Sequence, residues 1–103
     1  MMFNIITRRT LNRYCVQYPE AAEPLKKWYY ELKREDFNNS NELKNVYKNA
    51  SIVADNRVVF NIGGNKYRLV VRINFAYKAI QIKWFGTHKE YDKIDVVKVQ
   101  LKK

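Results

Sequence analysis

The stretch from Arg57 to Thr87 constrains the fold most, because its apolar residues recur with a period of two, as they do in β-strands. Gly63 and Gly64 interrupt this pattern, and two consecutive residues that tolerate positive φ are typical of a tight hairpin turn. With these glycines as the two turn residues, Phe60 is predicted to face Tyr67 across the hairpin, so that apolar residues pair. The chain is therefore predicted to build an antiparallel sheet around this turn.

Three strands are predicted, over residues 57–62, 65–75 and 79–87. They form an antiparallel meander, and alternation gives each strand one apolar side, which in the third strand includes Ile80, Ile82 and Trp84. The other side of the sheet is predicted to carry Lys66, Arg68, Arg72, Lys83, Phe85 and Thr87. One face of the sheet is thus expected to take the helices, while the other is basic.

Helical periodicity precedes the strands. A first helix is predicted after Thr7, which can cap it, and it ends at Pro19. A second helix, from about residue 20 to 34, has an apolar stripe of Leu25, Trp28, Tyr29 and Leu32. Asn39 has the position of an N-cap for a short third helix. The predicted fold class is α+β: one domain over residues 1–103, with an antiparallel sheet of three to four strands, two N-terminal helices on one face and a short C-terminal helix.

Charge and cysteine content limit the function. The chain has 20 Lys and Arg against 10 Asp and Glu, and residues 57–103 alone hold 11 against 3. A polyanionic partner is expected to meet this half, although a merely basic protein is the alternative. The single cysteine, Cys15, excludes an intrachain disulfide and a cysteine-based zinc site. No run approaches the roughly 20 apolar residues of a membrane span, and a cytoplasmic bacterial location is expected.

The motif Thr87-His88-Lys89-Glu90-Tyr91-Asp92 follows the third strand and holds the only histidine. Thr87 and Glu90 have capping-box spacing, so a short helix is predicted to begin here. Tyr91 and Asp92 follow His88 by three and four residues, which puts the three side chains on one helix face. An imidazole, a phenol and a carboxylate therefore converge at the end of a basic sheet.

This constellation suits cleavage of RNA by in-line attack of a 2′-hydroxyl, which needs a base, an acid and cations but no metal. His88 is the candidate acid–base group because imidazole titrates near neutral pH, and Asp92 is expected to orient its ring. Tyr91 is expected to donate to the scissile phosphate or the leaving group, and Arg68 to stabilise the transition-state charge. The candidate RNA-binding residues on the basic face are Lys66, Arg72 and Lys83. No cofactor is predicted, and one histidine with scattered carboxylates lacks the spacing of a metal site.

Each of these signals also has an ordinary structural explanation. A histidine at a helix start is usually a surface or capping residue, and a charged strand face is usually just solvated. Thr87 and Glu90 need be no more than caps. The predicted strand register is what brings the signals together.

Two segments resemble the HigB toxins of the RelE superfamily. The run from Val59 to Val70, VFNIGGNKYRLV, is similar to their hairpin, and residues 87–92, THKEYD, are similar to their C-terminal motif. The order of helices, loop, strands and short final helix also agrees, so the resemblance spans nearly the whole chain.

The resemblance implies an mRNA interferase, a toxin that cleaves messenger RNA, typically in the ribosomal A site. It also implies a cognate HigA-like helix-turn-helix antitoxin, which would connect the toxin to operator DNA. In the superfamily, basic residues of the central sheet and groups near the C-terminal end carry catalysis. On this chain that points to Arg68, His88, Tyr91, Lys66 and Lys89.

Two other functions stay open. The same basic face suits a non-catalytic RNA- or ribosome-binding module that stacks bases on aromatic side chains. A structural component of a phage or mobile element, without an RNA partner, is the third possibility. It predicts weak association with RNA that is insensitive to salt, whereas phosphate contacts lose affinity steeply as salt rises.

Overall fold

The computed structural model describes residues 3–6, 8–54 and 56–99. Its strands are β1 (Asn4–Ile6), β2 (Ser51–Val53), β3 (Arg57–Ile62), β4 (Tyr67–Asn74) and β5 (Ala79–Thr87). Its helices are α1 (Arg8–Gln17), α2 (Ala22–Lys33), α3 (Ser40–Val46) and α4 (His88–Tyr91), with a 3₁₀ turn at Pro19–Ala21. Of the helices in this described part, none is long and apolar enough to cross a membrane.

The helices form where the periodicity predicted them. The apolar stripe of α2 is buried along its whole length, at Leu25, Trp28, Tyr29 and Leu32. Trp28 contacts Phe60 of β3 edge-on, with ring centroids 5.5 Å apart, so α2 packs directly on the sheet. The Glu42 N–H donates to Asn39 Oδ1 at 3.0 Å, which confirms the predicted cap of α3. The predicted Thr7 cap lies outside the described residues.

The sheet has the order β1-β5-β4-β3-β2. Its central strands β3, β4 and β5 form the predicted antiparallel meander. Each edge adds a three-residue strand: β2 pairs antiparallel with β3, and β1 pairs parallel with β5. The α+β class is confirmed, with two N-terminal helices and a short C-terminal one, but the sheet has five strands rather than three to four and is mixed.

The hairpin between β3 and β4 corrects the predicted register by two residues. Phe60 pairs with Leu69 rather than with Tyr67, which instead faces Ile62. Gly63 and Gly64 do take positive φ, 63° and 71°, but the loop comprises four residues, 63–66, rather than two. Because the error is an even number of residues, every side chain of β4 stays on the face that the alternation predicted.

A β-bulge at Lys83 changes the faces of β5. Val70 pairs with Trp84 and the next residue, Val71, pairs with Ile82, so Lys83 is an extra residue opposite Val70. From that point the alternation is inverted. Phe85 lies buried in the core, and Trp84 lies on the opposite face of the sheet, so both sequence assignments were wrong.

The face of the sheet away from α1 and α2, here called the outer face, carries Arg57, Val59, Arg68, Val70 and Arg72. It is not a uniformly exposed basic surface, because Val59 and Val70 are buried. Arg57 is 3% exposed, and its Nη1 donates to the Val96 carbonyl at 2.9 Å and the Val99 carbonyl at 2.5 Å. The segment after α4 therefore contacts one end of the outer face.

Candidate functional site

The turn α4 begins with the predicted capping box. The Glu90 N–H donates to Thr87 Oγ1 at 3.2 Å, and the Thr87 N–H donates to Glu90 Oε1 at 2.9 Å. Two amides that a helix start leaves unpaired are thereby satisfied, which holds a single isolated turn in helical form. The predicted capping role of Thr87 and Glu90 is therefore confirmed.

Backbone contacts attach α4 to the hairpin loop of residues 63–66. The His88 N–H donates to the Lys66 carbonyl at 3.0 Å, and Tyr67 pairs with Thr87 across β4 and β5. The first residue of α4 is therefore fixed at the loop end of the sheet. The sequence analysis predicted that the imidazole of His88 would lie at this junction, next to the basic strands.

Arg68 is fixed at the same loop. Its Nη1 donates to the carbonyls of Asn65 at 3.1 Å and Tyr67 at 3.2 Å, and its Cα lies opposite Gly86 of β5. Among the described residues, its Nε and Nη2 have no protein partner. The side chain is half-buried, so these two nitrogens can be reached from solvent. One edge of the guanidinium fork is thus oriented by the loop, while the other can bind two phosphate oxygens.

An open depression of about 350 Å³ lies beside this junction. It is lined by Asn65, Lys66, Tyr67, Thr87, His88 and Lys89. The side chains of Lys66, His88 and Lys89 are exposed, and no carboxylate lines the depression. Its charge favours an anion, and its imidazole can exchange a proton with whatever binds there.

Tyr91 and Asp92 do not complete a hydrogen-bonded triad with His88 in this structure. Tyr91 is half-buried and packs against Trp84, with ring centroids 6.2 Å apart. The Asp92 N–H donates to the His88 carbonyl at 3.3 Å, but within the described residues its carboxylate makes no hydrogen bond to the imidazole. Their catalytic roles stay predictions.

Arg72 and Lys83 lie away from the loop junction. Arg72 is four residues along β4 from Arg68, which is about 13 Å at the rise of a strand, and it pairs with Gln81 and Arg57. Lys83 is the half-buried bulge residue of β5. The predicted basic face is therefore divided, with Arg68 at the loop end and Arg72 at the other end.

Sequence analysis missed two residues of the site's surroundings. Trp84 was assigned to the core, since nothing in the residue pattern marks the bulge that turns it outward. The Tyr18 hydroxyl donates to the Glu90 carboxylate, and burial together with this carboxylate raises the pKa of Tyr18. Tyr18 thereby connects α4 to the turn that follows α1. The two residues are 72 positions apart, so no local sequence pattern could predict this contact.

A larger cleft, of about 530 Å³, lies between α2 and β3 on the helix side of the sheet. Glu23 and Glu31 line it together with aromatic rings and a single cation, Lys27, so its net negative charge disfavours a phosphate. We therefore consider the smaller depression at the loop junction the candidate site. Among the described residues, no group of three or more His, Cys, Asp or Glu side chains could hold a metal ion.

Comparisons with known proteins agree on one family. A sequence profile of the HigB toxin family, described as the RelE-like toxic component of a toxin–antitoxin system, matches residues 21–94. The mRNA interferase HigB of Escherichia coli O6:H1 is 29% identical over 93 residues, which cover 88% of this chain and 90% of the relative. The mRNA interferase toxin HigB of Escherichia coli K12 is 30% identical over 91 residues, covering 86% of this chain and 88% of the relative.

Proposed function

The chain belongs to the HigB toxin family, the RelE-like toxic components of toxin–antitoxin systems, and on that basis we propose that it is an mRNA endoribonuclease. It cleaves messenger RNA on the ribosome, without a metal ion, and so inhibits translation. A cognate HigA-like helix-turn-helix antitoxin neutralises it and brings it to operator DNA. The mRNA specificity rests on relatives that are named mRNA interferases.

One observation supports the location of the active site: the loop of residues 63–66 anchors both Arg68 and α4. The Asn65 carbonyl accepts from the Arg68 guanidinium, and the Lys66 carbonyl accepts from the His88 backbone. The same loop backbone therefore fixes the Arg68 guanidinium and the main chain of His88, although Arg68 is not among the residues that line the depression. Such preorganisation is what transition-state stabilisation requires.

The chemistry follows from these groups. His88 accepts the proton of the 2′-hydroxyl, whose oxygen attacks the adjacent phosphorus while the bond to the 5′-oxygen breaks. Tyr91 donates a proton to the leaving oxygen, and Asp92 orients the imidazole. Arg68 stabilises the charge that develops on the non-bridging oxygens, with help from Lys66 and Lys89. The products are a 2′,3′-cyclic phosphate and a 5′-hydroxyl end, so protons and bonds balance without an added reagent.

The test compares His88→Ala, Arg68→Ala and the exposed-surface control Arg34→Ala in a translation extract. His88→Ala is expected to lower the cleavage rate by about 10²–10⁴-fold and Arg68→Ala by about 10²–10³-fold. Arg34→Ala is expected to cleave like the wild type, and thermal unfolding should show that all three fold. Undiminished cleavage by both site variants would eliminate this site.

The chemistry and the requirement for ribosomes are tested separately. A 5′-hydroxyl product accepts phosphate from polynucleotide kinase directly. Because ribosomes need Mg²⁺ to stay assembled, metal independence is tested with a phosphorothioate at the scissile bond, whose slower cleavage Mn²⁺ or Cd²⁺ is not expected to restore. Product ends that carry a 5′-phosphate would contradict the 2′-hydroxyl mechanism. Cleavage of the same message at equal rates with and without ribosomes would contradict ribosome dependence.

The competing function is a non-catalytic RNA- or ribosome-binding module on the same surface. It predicts that wild type and His88→Ala inhibit translation equally and leave the message intact. Steep loss of RNA association between 50 and 200 mM salt, about 10³-fold or more for several phosphate contacts, would support either RNA function. It would exclude the structural-component alternative, which needs no RNA partner.

A further inference from the structure

Trp84 lies on the outer face because of the bulge, and Gly86 provides the space that its ring occupies. A Cβ built on Gly86 would lie 2.6 Å from Trp84 Cη2 and 2.7 Å from Cζ2, closer than any real contact. The six-membered ring of the indole therefore lies directly against Gly86. Any other residue at this position would displace the ring.

The surroundings of the ring are aromatic and charged, and they include one carboxylate, because Glu90 Oε1 would lie 3.1 Å from the same Cβ on Gly86. Tyr91 of α4 contacts Trp84 at a ring angle of 52°, and Gly86 pairs with Arg68 across the sheet. Lys83 precedes Trp84 in the same bulge. The indole is half-buried, so part of its surface remains open to solvent beside the guanidinium that the proposed mechanism uses.

We propose that Trp84 is a substrate-positioning residue on which a nucleobase of single-stranded RNA stacks while Arg68 holds the adjacent phosphate. This assignment deepens the proposed function and rests on it. Stacking on an aromatic ring is available to every base, and nearby cations hold the backbone that connects successive bases. Gly86 and Tyr91 set the orientation of the indole, so the ring is ordered before RNA binds, which reduces the entropic cost of stacking.

Fluorescence offers a direct test, because the chain has two tryptophans and the other, Trp28, is 4% exposed in the core. The probe is a single-stranded 2′-O-methyl oligoribonucleotide, which lacks the nucleophile and cannot be cut. It is expected to quench the wild-type emission, and Trp84→Phe should abolish the quenching. An oligomer of the same length with abasic sites should quench far less. Equal quenching by both oligomers would overturn the proposal.

Affinity separates stacking from packing. Trp84→Phe keeps a ring and is expected to bind the probe within a few-fold of the wild type. Trp84→Leu keeps an apolar side chain but no ring, and its affinity should fall by about tenfold or more. With a cleavable message, Trp84→Leu should raise KM more than it lowers kcat. Wild-type affinity of Trp84→Leu would overturn the proposal, and unchanged thermal unfolding would rule out a folding defect.

Gly86→Ala displaces the indole without removing it, but its Cβ would also lie 3.1 Å from Glu90 Oε1 of the α4 capping box. Thr87→Ala, which loosens α4 and leaves the space under the indole unchanged, is therefore its control and should lose less probe affinity. The Gly86→Ala variant should lose as much probe affinity as Trp84→Leu. Wild-type affinity of Gly86→Ala would contradict the proposal that the indole must pack against Gly86 to bind a base. Failure of the two proposals is distinguishable. If the probe binds and quenches Trp84 but the matching RNA is never cut, the stacking site stands and the nuclease function fails.

Discussion

Three arginines on the outer face show that surroundings decide what one side chain does. Arg57 is buried and donates to backbone carbonyls, Arg68 is oriented by loop carbonyls with one edge open, and Arg72 is exposed. Arg57 and Arg72 pair directly across β3 and β4, yet they have opposite burial. At the residue scale, the same guanidinium is therefore a structural donor at Arg57, whereas at Arg68 it leaves one edge open for the proposed phosphate contact.

Removing the Arg57 guanidinium is expected to destabilise the fold. Arg57→Met leaves the Val96 and Val99 carbonyls without their charged donor, at a cost of about 1.5–3 kcal/mol in the free energy of unfolding. Arg72→Met, at the exposed cross-strand position, should change it by less than about 1 kcal/mol. Urea unfolding followed by tryptophan fluorescence measures both. Equal midpoints for the two variants would show that water replaces the guanidinium at no cost.

Two tyrosines are expected to resist ionisation. Burial, with the neighbouring Tyr18, raises the pKa of Tyr14 to about 12, and burial, with the carboxylates of Glu31 and Glu35, raises the pKa of Tyr47 to about 12. The raised pKa favours the protonated form in the folded state. The stability that these groups contribute is therefore complete below pH 10 and is lost between about pH 10 and 12.

Alkaline spectrophotometry at 295 nm tests this expectation. A late phase near pH 12, above the ordinary tyrosine value of about 10, should belong to Tyr14 and Tyr47. Tyr14→Phe and Tyr47→Phe should each remove amplitude from the late phase. A single transition near pH 10, with the protein still folded by circular dichroism, would contradict the assignment.

At the scale of elements, short pieces of structure are held by a few specific contacts. The single turn α4 depends on its capping box and on the bond from His88 to the Lys66 carbonyl. The bulge at Lys83 changes which residues of β5 reach each face, although it alters only one position of the ladder. Small local features of this kind determine the geometry of the site more than the long helices do.

Loss of the α4 cap is expected to reduce activity more than stability. Thr87→Ala removes the acceptor of the Glu90 N–H and should cost about 1 kcal/mol in the free energy of unfolding. Because α4 carries His88 and Tyr91, cleavage should fall by tenfold or more as the turn frays. Thr87→Ser keeps the hydroxyl and should behave like the wild type. Full activity in Thr87→Ala would show that α4 needs no cap to hold His88.

At the scale of the whole molecule, one buried lysine connects distant segments. Lys78, in the turn before β5, is 7% exposed and takes a positive φ of 52°. Its ammonium donates to the Phe37 carbonyl and to Asn38 Oδ1 and forms an ion pair with Asp36 at 3.0 Å. Its carbonyl accepts from the Asn4 N–H at 2.7 Å. The loop before α3, the β4–β5 turn and β1 are thus joined at one residue.

Replacing this lysine is expected to weaken the whole fold. Lys78→Met leaves the Phe37 carbonyl without its donor, and the free energy of unfolding should fall by about 1–3 kcal/mol. The larger loss typical of a broken buried ion pair is not expected, because Asp36 is 56% exposed and water can solvate it. Chemical denaturation measures the change, and Lys78→Arg is the matched cationic control. Unchanged stability in Lys78→Met would contradict the connecting role.

The same pair predicts a pH dependence. The hydrogen bond from Lys78 holds the pKa of Asp36 below its ordinary value. A depressed pKa contributes stability that is present above the unfolded value of about 4 and is lost as pH falls through the folded value. Acid titration of stability should therefore show a smaller loss below pH 4 in Asp36→Asn than in the wild type. Identical acid profiles would contradict the pairing.

What the sequence by itself determined is the local structure. The buried stripe of α2, the cap of α3 and the capping box of α4 were predicted because each depends on residues within a turn or two of one another. The strands of the meander and the alternation of β4 were predicted for the same reason. The resemblance to HigB toxins was likewise predicted from two short segments, residues 59–70 and 87–92, and the family profile matches residues 21–94.

Tertiary structure alone decided the rest. The bulge that turns Trp84 outward and the burial of Arg57 arise from contacts between residues far apart in sequence. Such contacts depend on how strands and helices fill the space between them, and no local pattern encodes that fit. The sequence therefore predicted the chemical groups of the candidate site, whereas packing across the sheet determined which of them lie near the loop of residues 63–66.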